Sequence, residues 1–114
     1  MNTANDALVD LVVASYRLAK GFGRAVTRLP ANEQPRHVNE ISFFVRRLES
    51  TLEPLSLSIA PVEGQRYDAG LPVKALNLDD FTADDVLLVE QVVEPVIMGP
   101  EGLVRMGTVL LKKV

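Results

Sequence analysis

The chain contains no cysteine, so disulfide bridges and thiolate metal ligands are excluded as sources of stability or chemistry. Histidine occurs once, at His37. A single imidazole with no cysteine cluster offers no metal cage, and a lone surface histidine has no triad to belong to. Four phenylalanines and two tyrosines are the only aromatics, so the core has to be built from Val, Leu, Ile and Ala. No apolar run reaches the ~20 residues of a membrane span. The opening Met1-Asn2-Thr3-Ala4-Asn5-Asp6 also lacks the basic segment of a secretory signal. The expectation is a cytoplasmic protein with no membrane association. The formal net charge is −3, whereas phosphate binding is driven by clustered cations, so nucleic acid is not expected as a partner. With no catalytic, metal or cofactor-binding residues to name, the reading is of a protein that is not an enzyme and carries no cofactor.

What is present is apolar patterning of two kinds. Apolar residues make up 47% of 114 positions, enough for a modest core that buries roughly two-thirds of the unfolded surface. In the first third, Leu8, Leu11, Val12, Leu18, Phe22, Ala25, Val26 and Leu29 recur at helical spacing, with Thr3, Asn5 and Asp6 offering capping oxygens ahead of them. Val9, Val13 and Tyr16 widen this stripe, and Gly21 and Gly23 weaken its second half by about 1 kcal/mol each. Residues 30–35 read as a connection, with Asn32 as a cap and Pro35 tolerated in a first turn. A second helix is expected over 36–53, its apolar positions at Val38, Ile41, Phe44, Val45, Leu48 and Leu52, and Pro54 ending it. Each helix carries an apolar face too wide for one neighbour to cover. The simplest remedy is two copies joined as a four-helix bundle. The interface is expected at Leu8, Leu11, Val12, Leu18, Phe22, Ile41, Phe44 and Leu48.

From residue 55 onward the texture changes. Leu55-Ser56-Leu57-Ser58-Ile59-Ala60 alternates as a strand does, and 73–78 reads as a second short strand. The run 86–98 (VLLVEQVVEPVIM) is rich in β-branched residues, and Gly99-Pro100-Glu101-Gly102 turns it back onto a final strand over 103–111. The predicted class is therefore α+β: a helical dimerisation region over 1–54 and a small all-β domain over 55–114. The acidic stretch holding Asp79, Asp80, Asp84 and Asp85 lacks the alternating oxygens and closing glutamate of a calcium loop, and reads as solvated. The Gly/Pro turn is no phosphate cradle, since neither a Lys/Ser pair nor a helix follows it.

A helical pair followed by a small terminal β domain resembles the GrpE family, the nucleotide exchange factors of DnaK-type chaperones. In that family a segment like FGVE-I leads from helix to β domain, where Pro54-Leu55-Ser56-Leu57-Ser58-Ile59 stands here. A G-x-x-F-D-P stretch follows in the family, and Gly64-Gln65-Arg66-Tyr67-Asp68-Ala69 occupies its place. The closing G-R-x-x-R-P-A-x-V-x-V hairpin is similar to residues 102–111, with Arg105 on the second arginine. The resemblance runs from about Leu8 onward and is carried by order and spacing. The family's His-Glu-Ala is replaced by Pro72-Val73-Lys74, its Gly-Tyr by Pro95-Val96, and its first hairpin arginine is either replaced by Leu103 or deleted. It is thus to a divergent form without the long N-terminal coiled-coil stem.

The resemblance implies a homodimeric co-chaperone in protein folding and the stress response. Its β domain would bind the nucleotide-binding domain of a DnaK-type chaperone and promote ADP release. It implies partner contacts at Arg105, Met98, Glu101 and Leu103 on the hairpin, and at Tyr67 and Asp68 on the turn, with Arg105 expected on an exposed strand position. Met98 and Leu103 fit the β core equally well, and Asp68 equally well serves its own turn. The alternative is a dimeric adaptor with the same fold and no exchange activity.

Overall fold

The structure, a computed structural model, describes residues 3–114. Two helices, α1 (Thr3–Val26) and α2 (Gln34–Leu52), precede six strands: β1 (Ser58–Ala60), β2 (Val73–Ala75), β3 (Leu87–Glu94), β4 (Val96–Gly99), β5 (Gly102–Arg105) and β6 (Gly107–Lys113). The chain is α+β and divides into two compact units, one ending at Leu55 and the other Ser56–Val114.

In the helical unit α1 is already formed at Thr3, so Thr3, Asn5 and Asp6 lie inside the helix rather than ahead of it. It runs unbroken through Gly21 and Gly23, whose propensity penalty is outweighed by burial of Val9, Val12, Val13, Tyr16, Ala19 and Val26. Ile41 of α2 lies over Gly23, its Cδ1 3.8 Å from where a β-carbon would stand. The end comes at Val26, before Leu29. There the Thr27 hydroxyl donates to the Arg24 carbonyl at 2.6 Å, and the Gln34 side-chain amide donates to the Leu29 carbonyl at 2.8 Å. Gln34 thus satisfies a carbonyl that the turn leaves open. Asn32 does not cap α2; Glu33 holds that position without a side-chain bond, and Pro35 sits in the first turn as expected. The helix stops at Leu52 and a single 3₁₀ turn, Glu53–Leu55, takes up Pro54.

The β unit departs most from the sequence reading. Each of the two long runs, 86–98 and 103–111, is broken into two strands, at Pro95 and at Met106. The four pieces form one bent hairpin whose halves enter different sheets: β3 pairs with β6, while β4 pairs with β5, all antiparallel. A third strand completes each sheet, giving the orders β1-β4-β5 and β2-β6-β3, with β2 parallel to β6. Pro95 cannot donate to a ladder, which makes it a natural break. Opposite it, Gly107 admits the close approach that the corner demands: a β-carbon there would lie 2.8 Å from Val96 Cγ2 and 2.9 Å from the Glu94 carbonyl. The expected strand over 55–60 is shortened to Ser58–Ala60, because Ser56 adopts a left-handed conformation at φ 60°. Inward positions of the second sheet are Val73, Val89, Val92, Val109 and Leu111, the aliphatic core that a chain poor in aromatics must use.

Beyond β2 the chain stays attached to β6 through a side chain. Asn77 Nδ2 donates to the Leu111 carbonyl and its Oδ1 accepts the Leu111 N–H, both at 2.9 Å. The amide imitates a strand residue where the backbone has already turned into the 3₁₀ turn Leu78–Asp80. Asn77→Ala leaves both Leu111 groups unpaired in a part-buried site, and is expected to destabilise by about 1–3 kcal/mol. Thermal unfolding of the variant against wild type checks this; an unchanged midpoint contradicts it. Further on, the Asp85 carboxylate accepts the Thr82 N–H at 2.9 Å and lies 3.3 Å from Lys113 Nζ. The Thr82 hydrogen bond first, and then Lys113, hold the Asp85 carboxyl below the usual carboxylate range. A depressed value means that this stabilisation is present at neutral pH and is lost as pH falls through it.

Candidate functional site

The β4–β5 hairpin forms one edge of the first sheet. Pro100 and Glu101 form its turn, and Gly102 follows with φ 117°, a conformation that favours glycine. Met98 pairs with Leu103 and Ile97 with Arg105, leaving Val104 as an extra residue in a bulge. β5 is an edge strand of its sheet, bonded on one side only. The bulge breaks the alternation that would send every second side chain inward, so Leu103, Val104 and Met106 are 48–51% exposed together. Among them Arg105 is half-buried and has interactions of its own, which corrects the expectation of an exposed position. Met98 is half-buried and Glu101 exposed. Four of the residues named from sequence, Met98, Glu101, Leu103 and Arg105, therefore share one short hairpin.

Tyr67 and Asp68 do not join them. The Tyr67 N–H donates to the Leu87 carbonyl at 2.9 Å, at the end of β3 remote from Pro95 and the hairpin. Asp68 is exposed, and its Oδ1 accepts the Gly70 N–H at 2.7 Å, holding its own turn. Val104 and Met106 belong to the hairpin surface but escaped the sequence reading. Residues 103–111 read there as one regular strand, in which neither position stands out.

The helical unit carries a second surface. Leu8, Leu11, Ser15, Leu18, Phe22 and Ala25 recur at alternating steps of three and four residues, the spacing of a coiled-coil seam. Leu11 is 63% exposed, Leu18 75% and Phe22 45%, while Leu8 is half-buried. Beside this stripe Phe44, 41% exposed, and the half-buried Ile41 line a shallow groove of about 370 Å³ with Leu18, Ala19 and Phe22. His37 meets the Phe22 ring edge-on at 5.7 Å between centroids. Leu48 is half-buried. Val12 is different: at 2% exposure it is enclosed within its own chain and offers no surface to a partner. Helical phase explains this, since Val12 stands about 100° around α1 from Leu11.

Among the described residues no three His, Asp or Glu side chains gather as metal ligands would, and no helix is long and apolar enough to cross a membrane. Comparison with protein-family models, curated proteins and solved structures finds no match to this chain.

Proposed function

We propose that the chain is a GrpE-like co-chaperone: a homodimer, joined as a four-helix bundle, whose β4–β5 hairpin docks onto the nucleotide-binding domain of a DnaK-type chaperone and promotes ADP release. The observation that carries this reading is the edge hairpin itself. It displays Leu103, Val104 and Met106 around Arg105, a combination of apolar surface and arginine suited to an interface centre. The mechanism needs no chemistry on this chain. A factor that binds the open nucleotide cleft better than the closed one shifts the chaperone toward the open state, and ADP, which prefers the closed state, leaves faster.

Dimerisation is supported by the uncovered helix stripe. Leu11, Leu18, Phe22 and Phe44 leave roughly 100 Å² each, a patch of roughly 400 Å², which on a monomer marks a contact surface. Two such patches, with Leu8, Ile41 and Leu48 added, approach the ~1,200 Å² of a stable interface.

The test is ADP release from the DnaK-type chaperone of the same cell, with and without this protein. Wild type is expected to accelerate it. Arg105→Ala removes a charged hydrogen-bond donor worth roughly 1.5–3 kcal/mol at an interface, a loss of roughly ten- to a hundredfold in affinity. Leu103→Ala, at a half-exposed position, is expected to weaken binding in the same direction without lowering the melting temperature. A wild type that leaves ADP dissociation unchanged would sink the exchange reading. The dimeric adaptor would then stand, and one observation favours it: Tyr67 and Asp68 lie away from the hairpin instead of forming one docking surface with it.

A further inference from the structure

The outer face of the second sheet is independent of the hairpin. Strand pairing places its residues in rows. Lys74 of β2 lies beside Thr108 of β6, which lies beside Glu94 of β3. The Thr108 hydroxyl donates to Glu94 Oε1 at 3.0 Å, so these side chains share a face. Two residues along is the row of Leu76, Leu110 and Gln91, and two further on Lys112 pairs with Leu88, which pairs in turn with Arg66. All of these alternate with the inward-facing Val73, Val109, Leu111 and Val89. Leu76 is 56% exposed, Leu88 and Leu110 are half-buried, and Lys74, Lys112 and Arg66 are exposed.

The face is thus a band of three leucines bracketed by cations, in a chain whose net charge is −3. It holds two acids: Glu94, whose carboxylate already accepts from Thr108, and Glu90, exposed in the β3 bulge beside Gln91. Four strand residues separate the Lys74 row from the Lys112 row, about 13 Å at ~3.3 Å per residue. No aromatic ring stands in these rows for a base to stack on, which disfavours single-stranded nucleic acid. Three cations interleaved with leucines are also far from the clustered polybasic segment that anionic lipid attracts.

We propose that this face docks an extended acidic segment of a partner protein. The segment carries two carboxylates four residues apart with an apolar side chain midway between them. One carboxylate meets Lys74, the other meets Lys112 and Arg66, and the apolar side chain lies on Leu76 and Leu110. An extended segment has the same rise as the strands beneath it, so acid, apolar residue and acid fall on cation, leucine and cation in register.

The probe is a short peptide with Glu-Ser-Leu-Ser-Glu at its centre, titrated into the ¹⁵N-labelled protein at low salt. The backbone signals of Lys74, Leu76, Leu110 and Lys112 are expected to shift together, with an affinity that falls as salt rises. Lys74→Glu and Lys112→Glu are each expected to weaken binding at least tenfold, and Leu76→Ser several-fold. All three sit at exposed positions, so a dispersed spectrum checks that the fold is kept. The same peptide with lysine in place of glutamate is expected not to bind. Absence of shifts, shifts centred elsewhere, or binding unaffected by these variants overturns the proposal. So does a face that answers only to phosphatidylserine vesicles or to oligo-dT.

Discussion

Leu18→Asp is expected to split the proposed dimer into folded monomers, whereas Val12→Asp, six residues away, is expected to unfold the chain. The two positions belong to one helix and both read as interface residues in the sequence. Their surroundings differ: Leu18 is 75% exposed in the single chain and Val12 only 2%. An aspartate at position 18 stays hydrated in the monomer. It would be unpaired and desolvated only in the dimer, where it costs several kcal/mol. At position 12 the same charge is buried in the chain itself. A penalty of several kcal/mol is then comparable to the whole stability of a small protein. Light scattering and circular dichroism separate the outcomes. Wild type should run at about twice the chain mass of 12.5 kDa, Leu18→Asp at the single mass with intact helix signal, and Val12→Asp without a cooperative melt. A wild type that is a well-folded monomer at micromolar concentration removes the dimer.

Gly107→Ala should lower the melting temperature sharply although it adds only one methyl group. The added carbon would stand 2.9 Å from the Glu94 carbonyl and 3.1 Å from the Val96 nitrogen, both backbone atoms at the corner where β3 passes into β4. A flexible side chain can move aside, but a paired backbone cannot do so without disturbing its ladders. Overpacking of this kind costs about 1–3 kcal/mol, or roughly 5–20 °C for a domain this small. Gly21→Ala gives the opposite sign. Its β-carbon would meet nothing nearer than the Arg24 guanidinium at 3.6 Å, and replacing glycine by alanine inside a helix gains about 1 kcal/mol. Calorimetry on the pair decides this, since equal midpoints would show that the corner relaxes.

The sequence by itself determined what local spacing and local chemistry can encode. The apolar residues of α1 and α2 repeat at helical period, and Pro35 and Pro54 mark where the second helix starts and stops. The β-branched run and the Gly-Pro-Glu-Gly turn likewise announce strands and a reversal, and Met98, Glu101, Leu103 and Arg105 were legible around that turn. Tertiary structure alone decided which flank of α1 is spent inside the chain, Val12 against Leu11 and Leu18, because periodicity gives a stripe its phase but not its neighbour. It alone bent the hairpin at Pro95 and Met106 into two sheets, since a break costs local propensity and is repaid by pairing with β1 and β2, which lie far along the chain. Asn77 shows the same limit. Its text is that of a polar loop, and only β6, brought alongside from 34 residues away, makes its amide a rung of the ladder.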